Sequence, residues 1–287
     1  MQNIIGLGQA GVNIARGFAE YPQYGIYTLD SESNEMPNHL LLNKCETHEA
    51  YERSVPSLSE YFKDIPDDED VLFIVGGGGA ISGASLAILE QLRRCKVHLL
   101  YIRPDTSLLS QKKCMQDRVT YNILQQYARS ANFERIILID NAELDKVVGG
   151  APVIGYYEAL NKILISALHM INVFDHSEAI MSTLAKPLEV SRITTIGLLD
   201  IEKNEEKLLF PLTAVREKSY YYAVNNETLK TDTTLFKTIT DQMKEKIIED
   251  KLKISYGIYS TQYKQKYGFL LARSSMVQGV LEETKEE

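Results

Sequence analysis

The chain has 287 residues, of which 44% are hydrophobic and 24% are charged, with a formal net charge of -8 and a pI near 5.3. This composition is close to the globular average and excludes a wholly disordered chain. The acidic balance argues against general binding to nucleic-acid phosphates.

The cysteines and the apolar runs indicate the cellular compartment of the protein. Cys45, Cys95 and Cys114 are widely spaced and form no C-x-x-C pair, which argues against a disulfide framework and a structural zinc site. The first residues run directly into an apolar segment, so we expect no signal peptide. No apolar run approaches the roughly 20 residues that span a bilayer. We therefore expect a cytoplasmic protein without a membrane segment.

Short apolar runs in the first half of the chain predict strands that alternate with helices. The runs lie at 4–7, 26–29, 71–75, 97–102 and 136–139. Continuous apolar runs of this length are typical of a parallel sheet covered on both faces. We therefore predict a Rossmann-like α/β domain, whose ligand lies at the carboxyl ends of the strands.

A long helix and a change of pattern follow. Residues 152–172 predict one helix, with Pro152 in its first turn and Leu160, Leu164 and Leu168 on its buried face. Further strands are predicted at 193–199, 220–224, 254–259 and 267–272, with a helix at 233–252 among them. We thus predict a nucleotide-binding domain at 1–151, a central helix and its loop at 152–187, a smaller α+β domain at 188–280 and an acidic tail at 281–287.

Two glycine-rich turns are the predicted phosphate-binding elements. Gly6-Leu7-Gly8-Gln9-Ala10-Gly11 follows a strand and opens a helix, where main-chain N–H groups and the helix dipole can bind a phosphate. Its spacing also matches G-x-G-x-x-G, with Asp30 where a ribose-binding acid would lie. Gly76-Gly77-Gly78-Gly79-Ala80-Ile81-Ser82-Gly83 is a second phosphate-binding turn, with Ser82 as an N-cap or a phosphate ligand. Two such turns indicate a nucleotide held from both sides.

With these motifs the chain resembles the tubulin/FtsZ superfamily, most closely its small prokaryotic and bacteriophage or plasmid members (TubZ- and PhuZ-like). The resemblance depends on motifs in matching order across about residues 1–200. They are GQAGVN at 8–13, GGGAISG at 77–83, IDN at 139–141 with AEL after it, YEALNK at 157–162, and DHSE at 175–178. The remaining third matches only as a smaller α/β pattern.

The resemblance implies a role for each matching residue. Gln9 would lie near the phosphates and Mg²⁺, Tyr157 would stack on the base, and Asp30 would lie near the ribose or phosphates. Asn141 and Asn161 would hydrogen-bond guanine, because an amide both donates and accepts. The implied nucleotide-binding set is Gly8, Gln9, Ala10, Gly11, Asn13, Asp30, Gly77, Gly78, Gly79, Ala80, Ser82, Gly83, Asn141, Tyr157 and Asn161, with GTP or GDP and Mg²⁺ as cofactors.

The resemblance further implies that Asp175 and Glu178 are catalytic. In this family the loop after the central helix enters the nucleotide pocket of the next subunit, where its carboxylates polarise the attacking water. The expected protein is a GTPase that polymerises head to tail with itself. Its acidic tail resembles the tails with which phage and plasmid tubulins bind a neighbouring subunit, and an adaptor or cargo is a further possible partner. Without the family, this D-x-x-E pattern is typical of a solvated helix start.

Departures from the family pattern leave two alternatives open. Ala80 and Ile81 replace the threonine and the middle glycine of the signature, and the loop that senses the terminal phosphate is not evident in 44–66. A structural homologue that does not hydrolyse GTP is therefore one alternative. A NAD-dependent oxidoreductase explains the first glycine turn, but it explains neither the second turn nor the later motifs.

Overall fold

A computed structural model describes residues 1–250 and 252–279, without the side chains of Leu108 and residues 248–250. The predicted tail at 281–287 lies outside these residues. The helices are α1 (Gly8–Gly17), α2 (His48–Ser54), α3 (Ser85–Gln91), α4 (Gln111–Arg129), α5 (Asn141–Val148), α6 (Tyr156–Asp175), α7 (Asn226–Thr231) and α8 (Leu235–Asp250). The strands are β1 (Asn3–Leu7), β2 (Gly25–Asp30), β3 (His39–Leu41), β4 (Asp70–Gly76), β5 (Lys96–Arg103), β6 (Arg135–Asp140), β7 (Met181–Ser182), β8 (Ile193–Asp200), β9 (Glu205–Leu208), β10 (Val215–Asn225), β11 (Lys253–Thr261) and β12 (Tyr267–Ser274). None of the helices in the described ranges combines the length and apolar character that crossing a bilayer requires.

The strands form one 12-stranded sheet in the order β3-β2-β1-β4-β5-β6-β8-β12-β10-β11-β7, with β9 paired to β8. Every pair from β3 to β8 in this order is parallel. Beyond β8 the sheet is mixed, because β12 is antiparallel to both of its neighbours whereas β10 and β11 are parallel. The two halves join narrowly, through the pairs Ile136–Ile193 and Ile137–Thr194. The predicted α/β class is confirmed.

The central strand β4 shows why the parallel strands could be predicted from the sequence. Its residues from Val71 to Val75 are at most 1% exposed. Phe73 packs into a core with residues of α3 and α4, whereas Ile74 packs into a second core with residues of α1 and α6. Because both faces of the sheet are covered, the strand is apolar without interruption.

The long helix is confirmed, but its predicted start is wrong. The helix α6 begins at Tyr156, so Pro152 lies in the preceding loop rather than in the first turn. Gly155 precedes the helix with a φ of 86°, a left-handed conformation that glycine adopts without strain and that separates the loop from the helix. The 20 residues of α6 span about 30 Å.

Part of the second half of the chain forms a third, separate core. Leu235, Ile239 and Met243 of α8 pack on Tyr220, Tyr222 and other residues of the mixed part of the sheet. The four strands and the helix predicted here are confirmed as β8, β10, β11, β12 and α8. The sequence analysis missed β3, β7 and β9, because strands of two to four residues carry too few positions for a periodic pattern.

Candidate functional site

The first glycine turn presents the start of a helix at the carboxyl edge of the parallel sheet. Gly8 has a φ of 67° and is the first residue of α1. Leu7, which precedes it, provides no side-chain cap, so the first N–H groups of α1 remain available to an anion. Ala10 and Gly11 lie in the same first turn, where Gln9 is exposed and Gly11 is buried.

The second glycine turn packs directly against the first. A Cβ atom at Gly8 would lie 2.7 Å from Cγ2 of Ile81, and a Cβ atom at Gly76 would lie 2.9 Å from Cβ of Ala10. Gly78 adopts a φ of 79°, again in the left-handed region. The two turns that the sequence analysis assigned to one ligand therefore meet in the folded chain.

Ser82 and Gly83, which follow the second turn, make close contacts within the protein. Ser82 is 2% exposed, and its hydroxyl donates to the Gly79 carbonyl at 2.7 Å and lies 3.1 Å from Thr120 Oγ1. Of the two roles predicted for Ser82, the N-cap is wrong, since Ser82 lies within a short 3-10 helix and Ala84 precedes α3. The role of a phosphate ligand stays a prediction. A Cβ atom at Gly83 would lie 2.5 Å from the backbone of His48, so α2 packs closely on this segment.

A cleft between α1 and α6 brings together three of the predicted nucleotide-binding residues. Asn13, Tyr157 and Asn161 line it, and it has a volume of about 480 Å³. Tyr157 is 62% exposed, so its ring is accessible to a ligand. The charged residues that line the cleft are Arg16, Glu20, Glu158 and Lys162. A flat aromatic side chain beside amides can stack on a base and hydrogen-bond its edge.

Asp30 and Asn141 lie at strand ends near the turns but not among the residues that line this cleft. Asp30 ends β2, whose register places Leu29 beside Leu7, and it accepts a hydrogen bond from the Ser31 N–H at 2.7 Å. Burial raises the pKa of Asp30. Asn141 is the first residue of α5, a helix capped by Asp140.

The residues present fit a nucleotide better than they fit a metal held by protein alone. Within 1–250 and 252–279, no group of three His, Cys, Asp or Glu side chains could hold a metal ion. Mg²⁺ is commonly held by substrate phosphates and water with only one or two protein ligands. The exposed Gln9 at the start of α1 is compatible with that arrangement.

The two predicted catalytic acids lie far from the cleft and face different grooves. Asp175 ends α6, about 27 Å along the helix from Tyr157. Its carboxylate accepts a hydrogen bond from the Tyr221 hydroxyl at 3.0 Å and lines a groove of about 460 Å³. Glu178 is exposed and lines a separate groove beside Tyr259. One copy of the chain therefore cannot bring either acid to its own cleft.

A buried polar cluster beneath the second glycine turn was not predicted from the sequence. Arg103 ends β5, and its guanidinium lies 3.9 Å from a carboxylate oxygen of Asp117 and 3.7 Å from one of Asp140. Burial raises the pKa of both carboxyl groups, with Arg103 opposing the shift. The signal in the sequence was a charged residue at the end of an otherwise apolar strand.

Comparison of the whole structure with solved structures identifies the fold. No protein-family model matches the sequence, and no curated protein matches it. A GTPγS-form protofilament of TubZ from Bacillus thuringiensis serovar israelensis superposes with a TM-score of 0.71 at 15% identity, over 96% of this chain and 87% of that chain. CetZ2 from Haloferax volcanii, as a GTPγS-bound protofilament, superposes with a TM-score of 0.72 at 13% identity, over 95% and 92%. An empty FtsZ dimer from M. jannaschii gives a TM-score of 0.69 at 13% identity, over 94% and 87%. The chain therefore has the tubulin/FtsZ fold.

Proposed function

We propose that this protein binds GTP, polymerises head to tail with itself and hydrolyses GTP between subunits in the cytoplasm. The observation that carries the proposal is the contact of two glycine turns at the start of α1, together with a cleft further along the same helix that is lined by Asn13, Tyr157 and Asn161. The similar TubZ and CetZ2 structures are GTPγS-form or GTPγS-bound protofilaments, which supports both the ligand and the assembly.

In this proposal the phosphates bind main-chain N–H groups of the two turns, at residues 8–11 and 77–79. The base stacks on Tyr157, and Asn161 hydrogen-bonds its edge, with Asn141 as the second amide. Asp30 lies near the ribose or phosphates, next to the first turn. When bound, Mg²⁺ neutralises charge on the phosphates, with Gln9 as the nearby protein group.

Hydrolysis requires a second copy, because Asp175 and Glu178 lie at the far end of α6 from the cleft. In a head-to-tail contact these acids reach the terminal phosphate of the neighbouring copy and orient the attacking water. Asp175 must leave its hydrogen bond with Tyr221 or share it with water in that contact. The acidic tail at 281–287 would add a contact to the neighbouring copy, an adaptor or cargo.

The test is assembly by pelleting and negative-stain microscopy with GTP, GDP and a slowly hydrolysed GTP analogue, together with phosphate release. We expect filaments with GTP and the analogue, and phosphate release that depends on protein concentration. Asp175→Ala should assemble but lose most of its phosphate release. Glu60→Ala, which removes an acid whose side chain is 92% exposed elsewhere, is the control and should behave as wild type. Absence of nucleotide-dependent assembly, or stabilisation by NAD instead of GTP, would exclude the proposal.

A non-hydrolysing structural homologue is the second candidate, favoured by the second turn itself. Ile81 contacts Gly8 where the family signature has a glycine, and the Ser82 hydroxyl is buried. Ile81 brings no polar group to the turn, and the Ser82 hydroxyl is already hydrogen-bonded to the Gly79 carbonyl. Equal and negligible phosphate release from wild type and Asp175→Ala, with filaments in both, would establish this candidate.

A further inference from the structure

Three neighbouring strands end together beneath the two glycine turns. Their register places Gly76 beside Ile102 and Arg103 beside Asp140. The Gly77 N–H donates to the Ile102 carbonyl at 2.9 Å, so the second turn, which follows β4, is hydrogen-bonded at its start to the strand that ends in Arg103. Asp140 is followed directly by Asn141. Arg103 thus lies between the segment proposed to bind phosphates and the residue proposed to bind the base.

The Arg103 guanidinium is shared between two carboxylates that each hold a different part of the site. Asp117 accepts a hydrogen bond from the Tyr101 hydroxyl at 2.6 Å, and this pair fills the space that a side chain at Gly77 would need. Asp140 caps α5, accepting from the Ala142 N–H at 2.8 Å. Arg103 also lies over the Tyr121 ring, with Cζ 5.6 Å from its centroid.

This cluster is buried but incompletely hydrogen-bonded. Arg103 is 5% exposed and Asp117 is fully buried, yet Arg103 Nε and Asp117 Oδ2 have no hydrogen-bond partner among the described residues. Buried polar groups are normally satisfied, because an unpaired one costs free energy. A protein that keeps such a group beside its candidate site has a structural or functional reason to do so. One such reason is that the Arg103 guanidinium, which lies between Asp117 and Asp140, connects two segments that are not adjacent in the chain.

We propose that Arg103 is a positioning residue that fixes the Gly77 turn relative to Asn141, so that the phosphates and the base of one nucleotide are recognised together. This inference rests on the proposed GTP binding and concerns how that site discriminates. Arg103 acts on the ligand through Asp117 and Asp140 rather than by contact. Arg103 therefore couples binding of the phosphates to binding of the base.

The experiment compares whole and divided ligands on the full chain. A fluorescent GTP analogue is displaced by GTP, by guanosine and by tripolyphosphate, from wild type and from Arg103→Met. We expect GTP affinity to fall by about tenfold or more, the range of a typical coupling between sites. Guanosine and tripolyphosphate should bind as they bind to wild type, because each half of the site remains intact.

Two further variants distinguish the proposed role from a misfolding of Arg103→Met. Asp140→Asn keeps a side-chain oxygen that can cap α5 but removes the charge that faces Arg103, and it should show the same pattern more weakly. Arg103→Lys keeps a cation and should restore part of the GTP affinity. Arg94→Met removes an arginine that pairs with Asp67 outside the site, and it should leave all three affinities unchanged.

Each result that would contradict the positioning role has its own pattern of affinities. If tripolyphosphate weakens as much as GTP, Arg103 contacts phosphate and the positioning role is wrong. If GTP, guanosine and tripolyphosphate weaken together with the melting temperature, in Asp140→Asn as well, the cluster is only structural. If GTP affinity is unchanged, Arg103 has no role in binding. If wild type binds no GTP, it is the proposed function that fails.

Discussion

Gly77 occupies a position where the packing leaves no room for a side chain. A Cβ atom there would collide with the Asp117 carboxylate and the Tyr101 hydroxyl. We expect Gly77→Ala to lower the free energy of unfolding by about 1–3 kcal/mol, as overpacking of a buried site does, and to weaken GTP binding. Urea unfolding and nucleotide titration measure the two effects. Gly279→Ala is the control, because no atom of the described residues lies within 4 Å of a Cβ there. Equal effects in both variants would contradict the packing argument.

His98 should make the protein less stable in mild acid. Its Nδ1 accepts a hydrogen bond from Arg135 Nε at 3.0 Å, so Nε2 carries the proton donated to Asp70 at 2.7 Å. Burial and Arg135 lower the pKa of His98 below its usual 6.5. The unfolded chain therefore binds more protons than the folded chain below this pH, and stability present at neutral pH is lost as the pH falls.

Urea unfolding at two pH values tests this prediction. Between about pH 7.5 and pH 5.5, wild type should lose about 1 kcal/mol more stability than His98→Gln, which carries no titrating ring. The lowered pKa of Asp70 acts in more acidic solution and does not contribute in this window. Equal losses in the two proteins would show that His98 is not the titrating group.

The helix α6 connects the two ends of the candidate mechanism. Its first turns carry Tyr157 and Asn161 in the cleft, and its last residue is Asp175. Its buried face, which includes Leu164 and Leu168, fixes it against the parallel sheet. The helix spans about 27 Å from Tyr157 to Asp175, so the hydrolysis proposed above would require contact between two copies.

Loss of the exposed ring at the start of α6 should weaken binding of the base. We expect Tyr157→Ala to reduce GTP affinity by about 1–3 kcal/mol, the usual effect of removing an aromatic side chain that stacks on a base. Tyr127→Ala removes a ring that is 42% exposed on α4, and it should leave the affinity unchanged. Equal affinity of Tyr157→Ala and wild type would remove Tyr157 from the site.

The molecule carries exposed apolar pairs at both ends of α6. Val153 and Ile154, just before the helix, are 95% and 94% exposed, and Ile180 and Met181, after Glu178, are 61% and 46% exposed. These pairs are candidates for the head-to-tail contact proposed above, because apolar side chains gain from leaving water. A contact between two unlike surfaces of the same chain propagates into a filament instead of closing as a dimer.

Mixing two blocked variants tests whether these pairs belong to the assembly contact. We expect Val153→Glu with Ile154→Glu, and separately Ile180→Glu with Met181→Glu, to bind GTP as monomers and to form no filaments. An equimolar mixture should form dimers but no longer polymers, because each variant keeps one intact surface. Sedimentation velocity with GTP measures the species. Dimers of either variant alone would indicate a contact between like surfaces, and filaments from both would show that the pairs are not needed.

Some of the candidate site was predictable because it is local in the chain. The glycine turns follow apolar strands directly, and Tyr157 and Asn161 lie one turn apart on one helix, so spacing alone places them on one face. The Arg103 cluster was missed because Arg103, Asp117 and Asp140 come from separate elements. Their proximity depends on how α4 packs over the ends of β5 and β6.

The sequence by itself determined the buried parallel strands, the long helix and the glycine turns, because backbone preference and hydrophobic periodicity act within a few residues. Only the tertiary structure decided which polar side chains face the site. It turned Ser82 inward to Gly79, placed Asp175 and Glu178 in separate grooves, and set Arg103 between two acids. These outcomes depend on contacts between residues distant in the chain, which no local pattern encodes.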